Sequence, residues 1–110
     1  MDSIILDIRS RTEYAKGHIC GSYNIETPQP PLSNEQINNL YNQLSNLNIT
    51  KDTSIQVYCK KGIRSAIATN MLRNIGYRNV EDLGGITKNP LKMVYEKKHC
   101  ICRHQNTYRN

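Results

Sequence analysis

The sequence predicts an α/β fold with a central parallel sheet and helices on both faces. Short apolar, β-branched runs alternate along the chain with stretches whose apolar residues recur at helical spacing. The first run, Ser3 to Ile8, is almost continuously apolar and carries a carboxylate at Asp7, as in a parallel strand that is covered on both sides. A chain of 110 residues is long enough for one hydrophobic core, so a single domain is expected.

A short helix and a second strand are predicted to follow the first strand. Ser10 and Glu13 stand at capping-box spacing, which predicts that a helix begins there. Gly17 is expected to end this helix, because glycine favours the position just after a helix C-terminus. The apolar residues between Ile19 and Ile25 then predict a short strand.

Polar side chains are dense around the end of the first predicted strand, at Asp7, Arg9, Glu13 and His18. Such a group could supply catalytic acids and bases, or it could hold loops in place through ion pairs and hydrogen bonds. We favour the second interpretation, which makes these residues a supporting framework for a site elsewhere.

A rigid loop and an amphipathic helix come next. The segment from Glu26 to Leu32 contains three prolines, and Ser33 and Gln36 repeat the capping-box spacing. The apolar residues that follow recur at i, i+3, i+4, i+7 and i+10, which predicts one buried helix face. They are Ile37, Leu40, Tyr41, Leu44 and Leu47.

The second half of the sequence predicts a further strand, helix and strand. The run from Ser54 to Tyr58 is strand-like, Ala66 to Ile75 has helical spacing, and Gly76 is expected to end the helix. Asn79 to Leu83 predicts the last strand, followed by a tight turn at Gly84-Gly85.

The strongest candidate site is the loop between the third predicted strand and its helix. In a parallel sheet, ligands bind where strands end, and the start of the following helix favours an anion. The same field favours a cysteine thiolate, and a glycine lets the loop turn its N–H groups inward. The alternative is a plain buried core cysteine. The residues concerned are Cys59, Lys60, Lys61, Gly62, Ile63, Arg64 and Ser65.

The net charge favours anionic binding partners without identifying one, and the cysteines bear on the redox environment of the protein. The net charge of +6 favours anionic small molecules, nucleic acid or an acidic protein. No signal peptide or membrane-spanning apolar run is visible, so a cytoplasmic, reducing setting with free thiols and no membrane contact is expected. The four cysteines are Cys20, Cys59, Cys100 and Cys102.

The last quarter of the chain has a different composition. Pro90 predicts the start of a helix through Tyr95, and residues 96–110 are basic and polar. Two histidines and two cysteines lie close together there, between His99 and His104. A structural zinc site usually separates its ligand pairs by a longer loop, so we expect no metal and prefer a plain tail.

Two ordered motifs of this sequence resemble the rhodanese-like domain family. The first comprises Asp7-Ile8-Arg9, Glu13-Tyr14 and the segment from Gly17 to Ile25. The second comprises Val57-Tyr58-Cys59, Gly62, Arg64-Ser65, Leu72, Gly76, Asn79-Val80 and Leu83-Gly84-Gly85. Together they cover residues 4–86, which is more specific than a Cys-x4-Arg loop by itself.

This resemblance implies a single-domain sulfurtransferase that needs no cofactor. Cys59 would take sulfur from a small anionic donor such as thiosulfate, hold it as a persulfide, and pass it to a thiol, cyanide or a sulfur-carrier acceptor. The loop from Lys60 to Ser65 would bind the donor, while Asp7, Arg9 and Glu13 would support it. The domain is expected over residues 1–88, with a basic helix and tail over residues 89–110.

The resemblance also leaves three other functions open. They are a non-catalytic binding module of the same fold, a phosphatase, and an RNA-associated sulfur carrier. Four residues separate Cys59 from Arg64, whereas the related phosphatases have five, so a phosphatase is disfavoured. Family members usually begin with a further strand and helix, which predicts that the C-terminal segment or a second copy in a homodimer covers the sheet. Ile86 stands where the family commonly has an aromatic residue.

Overall fold

A computed structural model describes residues 3–86, which form a four-stranded parallel sheet and three helices. The sheet order is β2-β1-β3-β4, so β1 and β3 are the central strands. The elements in chain order are β1 (Ile4–Asp7), α1 (Arg11–Lys16), β2 (Tyr23–Asn24), α2 (Asn34–Asn46), β3 (Ser54–Cys59), α3 (Ile63–Asn74) and β4 (Asn79–Gly85). The predicted α/β fold with a central parallel sheet is confirmed.

Successive side chains of β1 and β3 point to opposite faces of the sheet. Leu6 and Val57 belong to the main hydrophobic cluster, which also contains buried residues of α2 and α3 such as Leu44 and Leu72. The neighbouring residue Tyr58 points the other way, and its hydroxyl accepts a hydrogen bond from the N–H of Ile19, in the segment after α1. Helices therefore lie on both faces of the sheet.

Both predicted capping boxes are present. The Ser10 hydroxyl accepts from the Glu13 N–H, and the Glu13 carboxylate accepts from the Ser10 N–H. Ser33 and Gln36 make the same reciprocal pair at the start of α2. These contacts satisfy N–H groups that have no partner within the helix, so two helix starts follow directly from the local sequence.

The C-termini of α2 and α3 are each followed by a residue with positive φ. Gly76 follows α3 at φ 112°, and its N–H donates to the Arg73 carbonyl while that of Tyr77 donates to Leu72. This is the Schellman arrangement, as the glycine predicted. Asn48 takes the same place after α2 at φ 62°, which an asparagine tolerates better than most residues.

The second predicted strand is confirmed: within the segment from Ile19 to Ile25, Tyr23–Asn24 form a short strand that pairs with β1. Two other predicted boundaries are wrong. Helix α3 begins at Ile63 rather than Ala66. Gly84-Gly85 is not a turn: both residues continue β4 and pair with β3, after a bulge that leaves Leu83 without a partner.

The predicted helix from Pro90 to Tyr95 and the basic tail lie outside the described residues. No helix within residues 3–86 is long and apolar enough to cross a membrane.

Candidate active site

Cys59 lies at the junction of a buried strand and a helix, at the carboxyl end of the sheet. It is the last residue of β3, and α3 begins at Ile63 with Gly62 as its N-cap. The Cys59 Sγ accepts hydrogen bonds from the N–H groups of Gly62 at 3.0 Å and Ser65 at 3.2 Å. The loop therefore curls around the sulfur with two main-chain donors aimed at it.

The left-handed conformation of Gly62, at φ 102°, makes this curl possible, since a residue with a Cβ would be strained there. Ser65 is fully buried, and its hydroxyl donates to the Gly62 carbonyl at 3.1 Å. The first turn of α3 and the loop are thereby joined into one unit around the Cys59 sulfur.

Gly85 allows the loop to pass close to the end of β4. A Cβ at Gly85 would lie 2.5 Å from the carbonyl carbon of Lys61 and 2.7 Å from the carbonyl oxygen of Lys60. Real side chains do not tolerate such distances. The sequence showed two consecutive glycines and suggested a turn, whereas the structural reason for Gly85 is the close approach of another segment.

Arg64, in the first turn of α3, pairs with Glu13 of α1. Its two terminal nitrogens each donate to one oxygen of the Glu13 carboxylate at 3.1 Å. The hydrogen bonds from Arg64 lower the pKa of Glu13 to about 2, and those to Glu13 raise the pKa of Arg64. This bidentate pair ties the Cys59 loop to α1.

A buried network of Asp7, Arg9 and Tyr58 lies beneath the loop. Arg9 donates to both carboxylate oxygens of Asp7, with a shortest distance of 2.7 Å, and to the Gly17 carbonyl. Burial opposes the Arg9 charge, but the hydrogen bonds and charge of Asp7 outweigh it and raise the Arg9 pKa. This pair fixes the end of β1 against the segment that follows α1.

Tyr58 is a member of this network that the sequence did not reveal. Its hydroxyl donates to the Asp7 carboxylate at 2.7 Å and accepts from the Ile19 N–H at 3.0 Å. Burial, reinforced by the Asp7 charge, raises the pKa of Tyr58, so the hydroxyl remains protonated. In the sequence Tyr58 is one of the apolar residues of a strand, and only its place beside Cys59 pointed to the site.

His18 is buried and stacks on Tyr14 with ring centroids 3.6 Å apart. Its Nδ1 lies 2.7 Å from the Tyr14 carbonyl oxygen, so this ring packs the segment after α1 onto the sheet. The structure thus brings together Cys59, Gly62 and Ser65, with Glu13 linked through Arg64, and places His18 with the buried network.

Three residues close to Cys59 in the chain are exposed at the surface. Lys60 and Lys61 are exposed, and the exposed fraction of Ile63 is 69%. Cys59 itself is only 1% exposed. The segment that follows the buried cysteine therefore contributes two cations and one isoleucine to the surface.

Cys20, the second cysteine within residues 3–86, differs from the prediction that the thiols are free. Cys20 is disulfide-bonded, so the prediction of free thiols is wrong at this position, while Cys59 is free. Disulfide formation depends on which cysteines the fold brings together, and sequence spacing does not give this. Residues 3–86 contain no group of three His, Cys, Asp or Glu side chains that could hold a metal ion.

The fold and the loop define an α/β domain in which a buried cysteine at a strand-to-helix junction accepts two main-chain hydrogen bonds. The family model of the rhodanese-like domain matches residues 1–88. The chain therefore belongs to the rhodanese-like domain family.

Curated relatives include a protein named as a sulfurtransferase and a longer protein named as a hydroxylase, and the chain matches part of each. Thiosulfate sulfurtransferase 18 of Arabidopsis thaliana is 34% identical over 86 residues, which are 73% of this chain and 60% of that protein. A tRNA uridine(34) hydroxylase of Prochlorococcus marinus is 37% identical over 89 residues, which are 79% of this chain and 28% of that protein. The chain thus spans less than two thirds of the length of either relative.

Solved structures share the fold. A rhodanese-like domain of the Alr3790 protein from Anabaena has a TM-score of 0.65 at 27% identity, with 82% of this chain and 92% of that chain covered. A rhodanese from E. coli, solved with anions, also has a TM-score of 0.65, at 23% identity, with 86% of this chain and 99% of that chain covered. The second likeness concerns the fold alone.

Proposed function

We propose that the chain transfers sulfane sulfur through a persulfide formed on Cys59. The observation that carries this proposal is the pair of N–H groups, from Gly62 and Ser65, that donate to the Cys59 sulfur. A thiolate is an anion, and main-chain donors at the start of a helix stabilise it.

In the first step, the Cys59 thiolate attacks the outer sulfur of an anionic donor such as thiosulfate. A bond forms between Sγ and that sulfur, the bond from the sulfur to the sulfonate group breaks, and the electron pair leaves with sulfite. The charge of the thiolate moves to the outer sulfur of the persulfide. The exposed Lys60 and Lys61 attract the donor and favour this anion.

In the second step, an acceptor thiolate or cyanide attacks the outer sulfur of the persulfide. The bond between the two sulfurs of the persulfide breaks, and its electron pair returns to Sγ of Cys59. The Gly62 and Ser65 N–H groups are in place to hold this thiolate again. No cofactor is needed, because in each step one nucleophile displaces another from the transferred sulfur atom and no external oxidant or reductant takes part.

The remaining site residues hold the loop and the end of β1 in place. Glu13 and Arg64 tie the loop to α1, and Asp7 with Arg9 anchors the end of β1 below it. Both terminal nitrogens of Arg64 donate to Glu13, so this guanidinium is held in one position beside the loop. A phosphatase is disfavoured by the four-residue spacing between Cys59 and Arg64.

Intact-mass spectrometry tests the proposal. The reduced protein and a Cys59→Ser variant are each exposed briefly to thiosulfate and weighed. We expect the wild type to gain one sulfur atom, the variant to gain none, and cyanide or a thiol to remove the added atom.

A folded wild-type protein that gains no sulfur would overturn the proposal and favour the non-catalytic binding module. A gain that persists in the Cys59→Ser variant would also overturn it, because the sulfur would then reside on another residue.

A further inference from the structure

The disulfide of Cys20 is a feature of the domain that the proposed sulfur transfer does not use. Cys20 is disulfide-bonded, whereas Cys59 is free. The chain has four cysteines, and the other two, Cys100 and Cys102, lie outside the described residues. By elimination, one of these two is the partner of Cys20.

Cys20 lies in a tight turn that is fixed to the central strand β3. The Ser22 N–H donates to the Ile19 carbonyl at 3.0 Å, and Gly21 has φ 87°, as in a β-turn with glycine at its third position. The Ile19 N–H donates to the Tyr58 hydroxyl at 3.0 Å. Cys20 itself is exposed, so small thiols and small disulfides can reach it.

The sequence around the two candidate partners favours thiol–disulfide exchange. Cys100 and Cys102 are flanked by the cations Lys97, Lys98 and Arg103. Nearby positive charge favours a thiolate over a thiol, and the thiolate is the form that attacks a disulfide. A bond between Cys20 and either cysteine can therefore form and open by exchange.

Such a bond closes a long ring of the chain around the Cys59 loop. The ring comprises residues 20–100 or 20–102 and thus contains β2, α2, β3, α3 and β4. Where the described domain ends, Ile86 follows Gly85, which pairs with Cys59 in the sheet. A cross-link across a long loop reduces the freedom of the unfolded chain, so closure of this ring stabilises the folded domain.

We propose that Cys20 forms a reversible, redox-sensitive disulfide with Cys100 or Cys102, which joins the C-terminal segment to the rhodanese-like domain. The bond closes when small disulfides are abundant and opens when small thiols are abundant, because an exposed disulfide is readily reduced. This inference is independent of the sulfur chemistry of Cys59, whose thiol takes no part in the bond.

Closure uses a small organic disulfide, such as glutathione disulfide, as the oxidant. One cysteine thiolate attacks a sulfur of this molecule, a mixed disulfide forms, and one small thiolate leaves. The second cysteine thiolate then attacks the protein-bound sulfur, and the second small thiolate leaves. Two electrons pass from the cysteines to the small disulfide, and the departing thiolates take up the two protons. Excess small thiol reverses both steps.

Peptide mapping of the full chain tests the assignment of the partner. The protein is equilibrated with glutathione disulfide or with reduced glutathione, its free thiols are blocked, and it is digested with trypsin. Trypsin places Cys20 in residues 17–51, Cys59 in residues 52–60, and both remaining cysteines in residues 99–103. We expect peptide 17–51 to be linked to peptide 99–103 in the oxidised sample and not in the reduced one.

Cysteine variants provide the controls for this map. Cys20→Ser should lose the linked peptide, and so should the double variant Cys100→Ser/Cys102→Ser, while the single variants show which of the two cysteines is the partner. Cys59→Ser is the matched control and should keep the link. A link from peptide 17–51 to peptide 52–60, a mass of two joined chains, or no link at any ratio of the two glutathione forms would overturn the proposal.

Urea denaturation tests the effect of closing the ring. We expect the oxidised wild type to unfold at a midpoint about 1–2 M higher in urea than the reduced wild type, as expected for a disulfide across a long loop. In Cys20→Ser the two conditions should give the same midpoint. Equal midpoints for oxidised and reduced wild type would show that the bond does not stabilise the domain.

Discussion

Gly85 is the residue on which the path of the loop after Cys59 depends. We predict that Gly85→Ala strongly reduces sulfur uptake by Cys59, because the new Cβ would overlap the backbone of Lys61 and Lys60 and displace the loop. The expected loss is about tenfold or more in the rate of persulfide formation, since small displacements of reacting groups have large effects. Intact-mass spectrometry of samples quenched at successive times after thiosulfate is added measures this rate.

Gly84→Ala is the matched control for this prediction. Gly84 has φ 85°, and a Cβ there would meet no atom within 4 Å. The control should therefore cost about 1 kcal/mol of stability through backbone strain without moving the loop. Equal losses of sulfur uptake in the two variants would contradict the assignment of a specific role to Gly85.

Tyr58 contributes to stability through its hydroxyl. We predict that Tyr58→Phe lowers the free energy of unfolding by about 1–3 kcal/mol, because the Ile19 N–H loses its acceptor and Asp7 loses a buried donor. Urea denaturation followed by circular dichroism measures the change. Tyr77→Phe, at a buried ring that contacts Lys51, is the comparison, and a smaller effect at Tyr58 than at Tyr77 would refute the prediction.

Some residue roles could be predicted from the sequence and others could not. The place of Cys59 follows from a strand-like run before it and a glycine and helical spacing after it, all of which are local signals. The partners of Arg64 and Tyr58 are not local: Glu13 and Asp7 each lie 51 positions away in the chain. Such contacts arise only when the sheet brings separate segments together.

Two elements, α1 and the start of α3, are joined through the Glu13 and Arg64 pair, and this joint should respond to pH. The folded-state pKa of Glu13 is lowered from 4.5 to about 2. Its stabilising contribution is therefore complete above about pH 4.5 and is lost as the pH falls towards 2. We predict that Glu13→Gln lowers the melting temperature at neutral pH, and that the difference from wild type shrinks across this window.

Melting curves from pH 7 down to the acid range test this prediction, with Asp52→Asn as the control. Asp52 pairs with Arg78 at 3.4 Å, but both side chains are mostly exposed, and such surface pairs contribute little. The control should show a smaller difference from wild type throughout. A difference for Glu13→Gln that stays constant between neutral and acid pH would contradict the proposed linkage.

At the level of elements, the starts of helices were better predicted than the ends of strands. Ser10 with Glu13 and Ser33 with Gln36 predicted two starts correctly, because a capping box acts within four residues. The start of α3 was placed three residues late, since Gly62 caps it through backbone conformation without a side-chain hydrogen bond. The extension of β4 through Gly85 depends on pairing with β3, which local sequence does not encode.

The whole molecule carries a net charge of +6, and this charge should raise the rate at which an anionic sulfur donor reacts with the protein. We predict that the second-order rate of sulfur uptake from thiosulfate falls several-fold as ionic strength rises from about 0.02 M to about 0.5 M, because salt screens the attraction of a dianion. Rates at increasing sodium chloride measure this. An uncharged organic polysulfide donor should show little dependence, and a similar dependence for both donors would rule out steering by charge.

The fold of the whole molecule was predictable because several local patterns agree with one topology. Alternating strands and helices predict a parallel sheet with helices on both faces, and the two ordered motifs between residues 4 and 86 add the family. The order of the strands in the sheet is a property of the assembled chain. It was supplied by the structure, which places β1 between β2 and β3.

The two hydrogen bonds to the Cys59 sulfur come from the main chain, and this has an evolutionary consequence. Every residue except proline carries the same N–H group, so mutation can exchange the exposed side chains of the loop while the two donors remain. The hydrogen bonds to the Cys59 sulfur can therefore persist in any sequence that keeps this fold, while the exposed side chains of the loop diverge.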